Sequence, residues 1–91
     1  MVTAIILLSV ERPKIRSVAE AMADRPEISE VYSVSGSYDL VAIVRVKTND
    51  DLADLVTEHL ARVDGIEYTE TMLAFRAYSR HDLEGMFSLG Q

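Results

Sequence analysis

The chain has 91 residues, with 15 Asp and Glu against nine Lys and Arg, a formal charge of −6, two His and no Cys. That length allows one domain with a thin core, and the absence of Cys removes disulfides, thiolate metal sites and thiol nucleophiles. The acidic balance argues against a chain that grips nucleic acid by itself, because phosphate contact needs clustered Lys and Arg. The same balance disfavours an electrostatic membrane anchor. A hydrophobic fraction of 48% is high for so small a domain and points to apolar surface buried against a second copy.

Val2 to Val10 reads as a strand with Val2, Ala4, Ile6, Leu8 and Val10 on one face and Ile5 and Leu7 on the other. Pro13 suits the first turn of a helix, where its missing N–H is harmless. Ile15, Val18, Ala19 and Met22 then recur with helical period. Asp24-Arg25-Pro26 stops that helix, since the residue before proline is pushed out of the helical region. Val31 to Ser35 is predicted as a second strand and Leu40 to Lys47 as a third, joined by a glycine hairpin.

Thr48 supplies an N-cap, and Asp50 and Asp51 first-turn carboxylates, for a second helix. Its stripe is Leu52, Leu55, Val56, Leu60 and Val63, and Gly65 stands where a left-handed cap is expected. Ile66 to Tyr78 reads as a long fourth strand. The expected domain is residues 1–78. Residues 79–91 form a tail, with Leu83, Met86 and Phe87 at the spacing of a short helix that contacts a neighbour.

The order β-α-β-β-α-β is that of an α+β, ferredoxin-like sandwich, with two helices on one face of a four-stranded antiparallel sheet. Such a sheet should alternate apolar-in and polar-out. Here Val41 and Ile43 oppose Leu40, Ala42, Val44 and Val46, and the first strand is apolar on both sides. The uncovered face is therefore expected to pack on another subunit.

Few residues invite catalysis. His59 falls on the second helix's stripe, where a histidine usually bonds a carbonyl or water; as a general base it would draw on Tyr32 or Tyr68. His81 adjoins Asp82 without a nucleophile motif. Asp50, Asp51, Asp54 and Glu58 read as a solvated helix face, and no spacing suits a metal site or a bound cofactor. The longest aliphatic run, Ala4 to Leu8, is too short to span a membrane. With no signal sequence or disulfide framework, a cytoplasmic protein is expected.

The hairpin Gly36-Ser37-Tyr38-Asp39 is more informative. Gly36 permits positive φ, and Asp39 can accept bonds from turn amides. Free amides beside a carboxylate also match a small zwitterion, which needs donors for its carboxylate and an acceptor for its ammonium. Thr69 and Thr71 share one face of the last strand, as hydroxyls of a cleft or simply as strand-forming residues.

Val34-Ser35-Gly36-Ser37-Tyr38-Asp39-Leu40 resembles the V-x-G-x-Y-D-apolar signature in the sensing domain of the Lrp/AsnC, or feast/famine, transcription regulators. Gly65-Ile66-Glu67-Tyr68-Thr69-Glu70-Thr71 is similar to that domain's G-V-x-x-T-x-T segment, with Ile66 for the usual Val. The resemblance covers Val2 to Tyr78. It implies amino-acid binding at Gly36, Ser37, Tyr38, Asp39, Thr69 and Thr71, dimers formed through the sheets, and rings such as octamers or decamers. Full-length regulators add an N-terminal helix-turn-helix; with the first sensing-domain strand reading from Val2, none is expected here. The expected role is thus a sensing and assembly domain that modulates full-length relatives by co-assembly. The alternative is a small dimeric enzyme of the cofactor-free oxygenase or isomerase type, which would need an enclosed cavity within each subunit.

Overall fold

A computed structural model describes residues 1–78 and 80. The tail, with His81, Asp82, Leu83, Met86 and Phe87, lies outside the described residues. The elements are β1 (Val2–Val10), α1 (Ile15–Ala23), β2 (Ile28–Ser33), β3 (Leu40–Val46), α2 (Asn49–Asp54) and β4 (Ile66–Leu73). The sheet order is β2-β3-β1-β4, with every neighbouring pair antiparallel. This is the expected ferredoxin-like arrangement.

The core follows from strand alternation. Ala4, Ile6 and Leu8 of β1 and Leu40, Ala42 and Val44 of β3 are fully buried under the helices. Val18 and Met22 of α1, four residues apart and so on one helix face, fill the same layer, joined by Leu55. Each Val, Leu, Ile or Met side chain among them contributes about 1.5–3 kcal/mol through its burial, and each Ala less. On the other side of the sheet, Ile5, Leu7, Val41 and Ile43 are half-buried, with no layer above them among the described residues. Tyr32 and Met72 on the flanking strands are exposed on that face.

Apart from β3, which ends one residue early at Val46, four features differ from the sequence reading. β2 begins at Ile28 and ends at Ser33 rather than spanning Val31 to Ser35. A register shift between Ile28 and Glu30 breaks the alternation that a strand is recognised by. β4 ends at Leu73, not Tyr78. Among the described residues its ladder partner is β1, with which its register begins at Ala4↔Leu73; one further bond follows, from the Ala74 amide to the Thr3 carbonyl at 2.9 Å.

The second helix is the third difference. α2 is capped by the Thr48 hydroxyl, which accepts from the Asp51 amide at 3.1 Å. It then widens into a π turn over Leu55–His59 and tightens into a 3₁₀ turn over Leu60–Arg62. One extra residue per turn lets Leu55 and Leu60, five apart, both reach the core. It also rotates His59 off the predicted stripe and into solvent.

The fourth concerns Gly65. The helical segment ends on Val63 in an extended conformation, and Gly65 lies two residues further on with φ 107°. Its carbonyl accepts from the Glu11 amide at 2.8 Å, and a Cβ there would lie 2.9 Å from the Lys14 Cβ. Glycine is therefore required by conformation and by space together. Lys14 also bridges Asp64 at 2.7 Å and Glu11 at 3.2 Å. Those partners raise its pKa, Asp64 most.

Arg25 and Glu27 form a two-pronged pair across Pro26, at 3.2 and 2.9 Å. The Arg25 guanidinium holds the Glu27 carboxyl below its usual 4.5. A carboxyl lowered on folding adds stability above its unfolded pKa and loses it as pH falls through the folded value. Stability should therefore fall below pH 4.5, and Arg25→Gln should make that fall shallower. Urea midpoints measured across the acid range check this.

Candidate functional site

The β2–β3 connection, residues 34–39, is held at its base by backbone. The Val34 amide donates to the Asp39 carbonyl at 3.0 Å, and the Asp39 amide donates to the Leu8 carbonyl at 2.8 Å. The Asp39 carboxylate has its own partner, because its Oδ2 accepts from the Val10 amide at 2.8 Å. β1 shifts register against β4 between Ser9 and Val10, and the Val10 amide is satisfied by Asp39 at that bulge. Asp39 thus closes the end of β1 on the hairpin.

At the tip, Gly36 adopts φ 132° in open space, as the sequence predicts, and Ser35, Gly36 and Ser37 are exposed. Tyr38 is half-buried. Its ring stacks on Tyr68, with centroids 6.4 Å apart and planes at 19°. Its hydroxyl donates to Glu70 Oε1 at 3.0 Å, and that contact raises the phenol's pKa. Tyr68 and Glu70 pair with Ser9 and Leu7, so they lie on the open sheet face.

Thr69 and Thr71 share a face, as expected, but it is the opposite one. They pair with the buried Leu8 and Ile6. Thr69 lines a cleft of about 180 Å³ with Val56, Leu60, Ala61, Ile66 and the backbone neighbours Glu67 and Tyr68. None of the hairpin residues lines that cleft. The candidate residues therefore fall into two groups on opposite faces of the sheet: the hairpin with Tyr38, and Thr69 and Thr71, of which Thr69 lines the cleft.

The residues suggested for catalysis do not converge. His59, in the helical segment that packs over one sheet face, borders an open groove with Glu27, Arg45 and Asp54. Tyr32 bonds Glu30 on the opposite sheet face, and Tyr68 stacks on Tyr38. Among the described residues, no group of three or more acidic or His side chains is arranged to hold a metal. No helix among them is long and apolar enough to cross a membrane.

Residues 3–83 match the family model described as the Lrp/AsnC ligand binding domain. The chain belongs to the Lrp/AsnC family. It is 32% identical over 77 residues to the HTH-type transcriptional regulator FL11 of Pyrococcus furiosus, covering 85% of this chain and 50% of that one. The chain thus spans about half the length of the curated relatives it matches. The crystal structure of TTHA0845 from Thermus thermophilus superposes with a TM-score of 0.82 at 48% identity, covering 88% of this chain and all of that one. Escherichia coli AsnC shares the fold, with a TM-score of 0.81 at 20% identity, over 86% of this chain and 53% of its own. The Lrp/AsnC assignment places the hairpin and the threonine strand inside a regulatory ligand-binding domain. The interaction that sequence reasoning missed is Tyr38 with Glu70 and Tyr68. Its only sequence signal was the alternation of Tyr68, Thr69, Glu70 and Thr71 between faces.

Asp39 should matter to folding. Asp39→Ala leaves the Val10 amide unpaired and should cost about 1–3 kcal/mol. Asp39→Asn keeps an acceptor oxygen and should cost less than half as much. Urea unfolding of the two variants checks the ordering.

Proposed function

We propose that this domain binds a small zwitterionic effector, an amino acid, at the hairpin Gly36-Ser37-Tyr38-Asp39, and that it self-associates through its open sheet face. The observation that carries the reading is the hairpin itself: a turn with exposed amides around Gly36, anchored at both ends, inside a family ligand-binding domain. The amides suit a carboxylate. Hydroxyls and apolar walls suit the rest of the molecule, and Thr69 lies in a cleft that offers both.

The two groups of residues lie on opposite faces of one subunit, so a ligand touching all six residues needs a second subunit. This favours a site between neighbouring subunits, with dimers formed first through the sheets and rings built from them. Self-association is further supported by half-buried Ile5, Leu7, Val41 and Ile43 beside exposed Tyr32 and Met72. The regulatory output we propose is co-assembly with full-length relatives, which carry the same domain and are named as HTH-type transcriptional regulators. An enzyme is not favoured, because His59 stands apart from both tyrosines.

Calorimetry against each proteinogenic amino acid tests the ligand. At least one should bind, and Gly36→Val should weaken it, since φ 132° strains any side chain there. No heat from any of them contradicts the effector reading.

A further inference from the structure

Among the described residues, nothing packs on Gly36 at the centre of the turn. Gly36 has nothing within 4 Å of where a Cβ would stand, and its two neighbours are exposed. The shape of the tip must therefore be set from its ends. Asp39 fixes one end through β1, by the Leu8 carbonyl and the Val10 amide. The other handle is the Tyr38 side chain, which crosses the end of β1 to reach β4.

Two contacts hold that side chain, and they restrict different motions. Stacking on Tyr68 sets the plane of the ring. The hydrogen bond to Glu70 Oε1 at 3.0 Å fixes where the ring's tip lies along β4. Glu70 sits between Thr69 and Thr71 in sequence but projects to the opposite face, beside Tyr68. The Thr-Glu-Thr triplet therefore divides its work between the faces: hydroxyls towards the helix side, and a carboxylate towards the hairpin's tyrosine.

We propose that Glu70 is a positioning residue of the effector hairpin, acting through the Tyr38 hydroxyl to hold the turn at residues 35–37 in its binding shape. This rests on the hairpin being the effector site. Glu70 itself touches no ligand in this account. Its role is to keep Tyr38 pinned across β1, so that Gly36 and Ser37 present their amides in one arrangement rather than many.

The test compares Glu70→Ala, Glu70→Gln and Tyr38→Phe in the full chain. Glu70→Ala removes the acceptor and Tyr38→Phe the donor, whereas Glu70→Gln keeps an acceptor oxygen. Backbone order parameters at residues 35–38 should drop towards the flexible range, below ~0.6, in the Ala and Phe variants. Elsewhere they should be unchanged, and Glu70→Gln should stay near wild type. Affinity for whichever amino acid binds the wild type should fall by roughly 3–10-fold in the Ala and Phe variants, the range for one net hydrogen bond. The double variant should be no weaker than either single one. Unchanged order parameters in Glu70→Ala overturn the assignment, whatever the wild type binds. Altered order parameters with unaltered affinity overturn it as well. A wild type that binds no amino acid contradicts the effector reading itself, a result that calorimetry alone delivers.

Discussion

The structure depends on β1. Like β3 it has a neighbour on both edges, with β3 pairing Val2 to Leu8 on one side and β4 pairing Ala4 to Val10 on the other. It is also apolar on both faces, while the helices cover only one. Its ends set the limits of everything around it. Near the start of β1, pairing with β4 stops at Ala4 and Leu73, and β4 leaves the sheet there. Where β1 runs past its last pair with β3, Leu8 and Leu40, the Val10 amide is taken by the Asp39 carboxylate, which fixes the base of the hairpin.

That geometry separates folding from recognition within one short segment. Asp39 and the Leu8 carbonyl belong to the sheet, and the amides around Gly36 belong to solvent. Tyr38 lies between, with its backbone in the turn and its ring on β4. A binding surface built this way rests on a rigid strand end, although its contact groups lie in a loop, which is how loops carry function without losing definition. The proposed site between subunits rests on the same arrangement, because alternation along β4 sends Thr69 and Glu70 to opposite faces.

Much of this was legible in the sequence, for stated physical reasons. β1 and β3 show strict alternation of buried positions, so their extents and two-sidedness could be read directly. The positive φ of Gly36 followed from its place in a hairpin. The start of β2 was hidden because its edge position admits polar Ser29 and Glu30, and a bulge interrupts the period. The end of β4 is where its pairing with β1 stops, at Leu73 and Ala4, which no local pattern records. His59 was misplaced because the period of an α-helix was assumed through a π turn, where Thr57 Oγ1 also bonds back to the Ala53 carbonyl at 2.7 Å. The pairing of Tyr38 with Glu70 joins residues far apart in sequence, so it needed the register of β1 against β4 to appear.

The central claim is that the uncovered sheet face is an interface between copies of this chain. Sedimentation equilibrium of the whole chain at micromolar concentration tests it most directly. The account predicts a mass that is an even multiple of 10.1 kDa, reduced when Ile43→Glu places a charge at the centre of that face. A wild-type monomer at that concentration would contradict it.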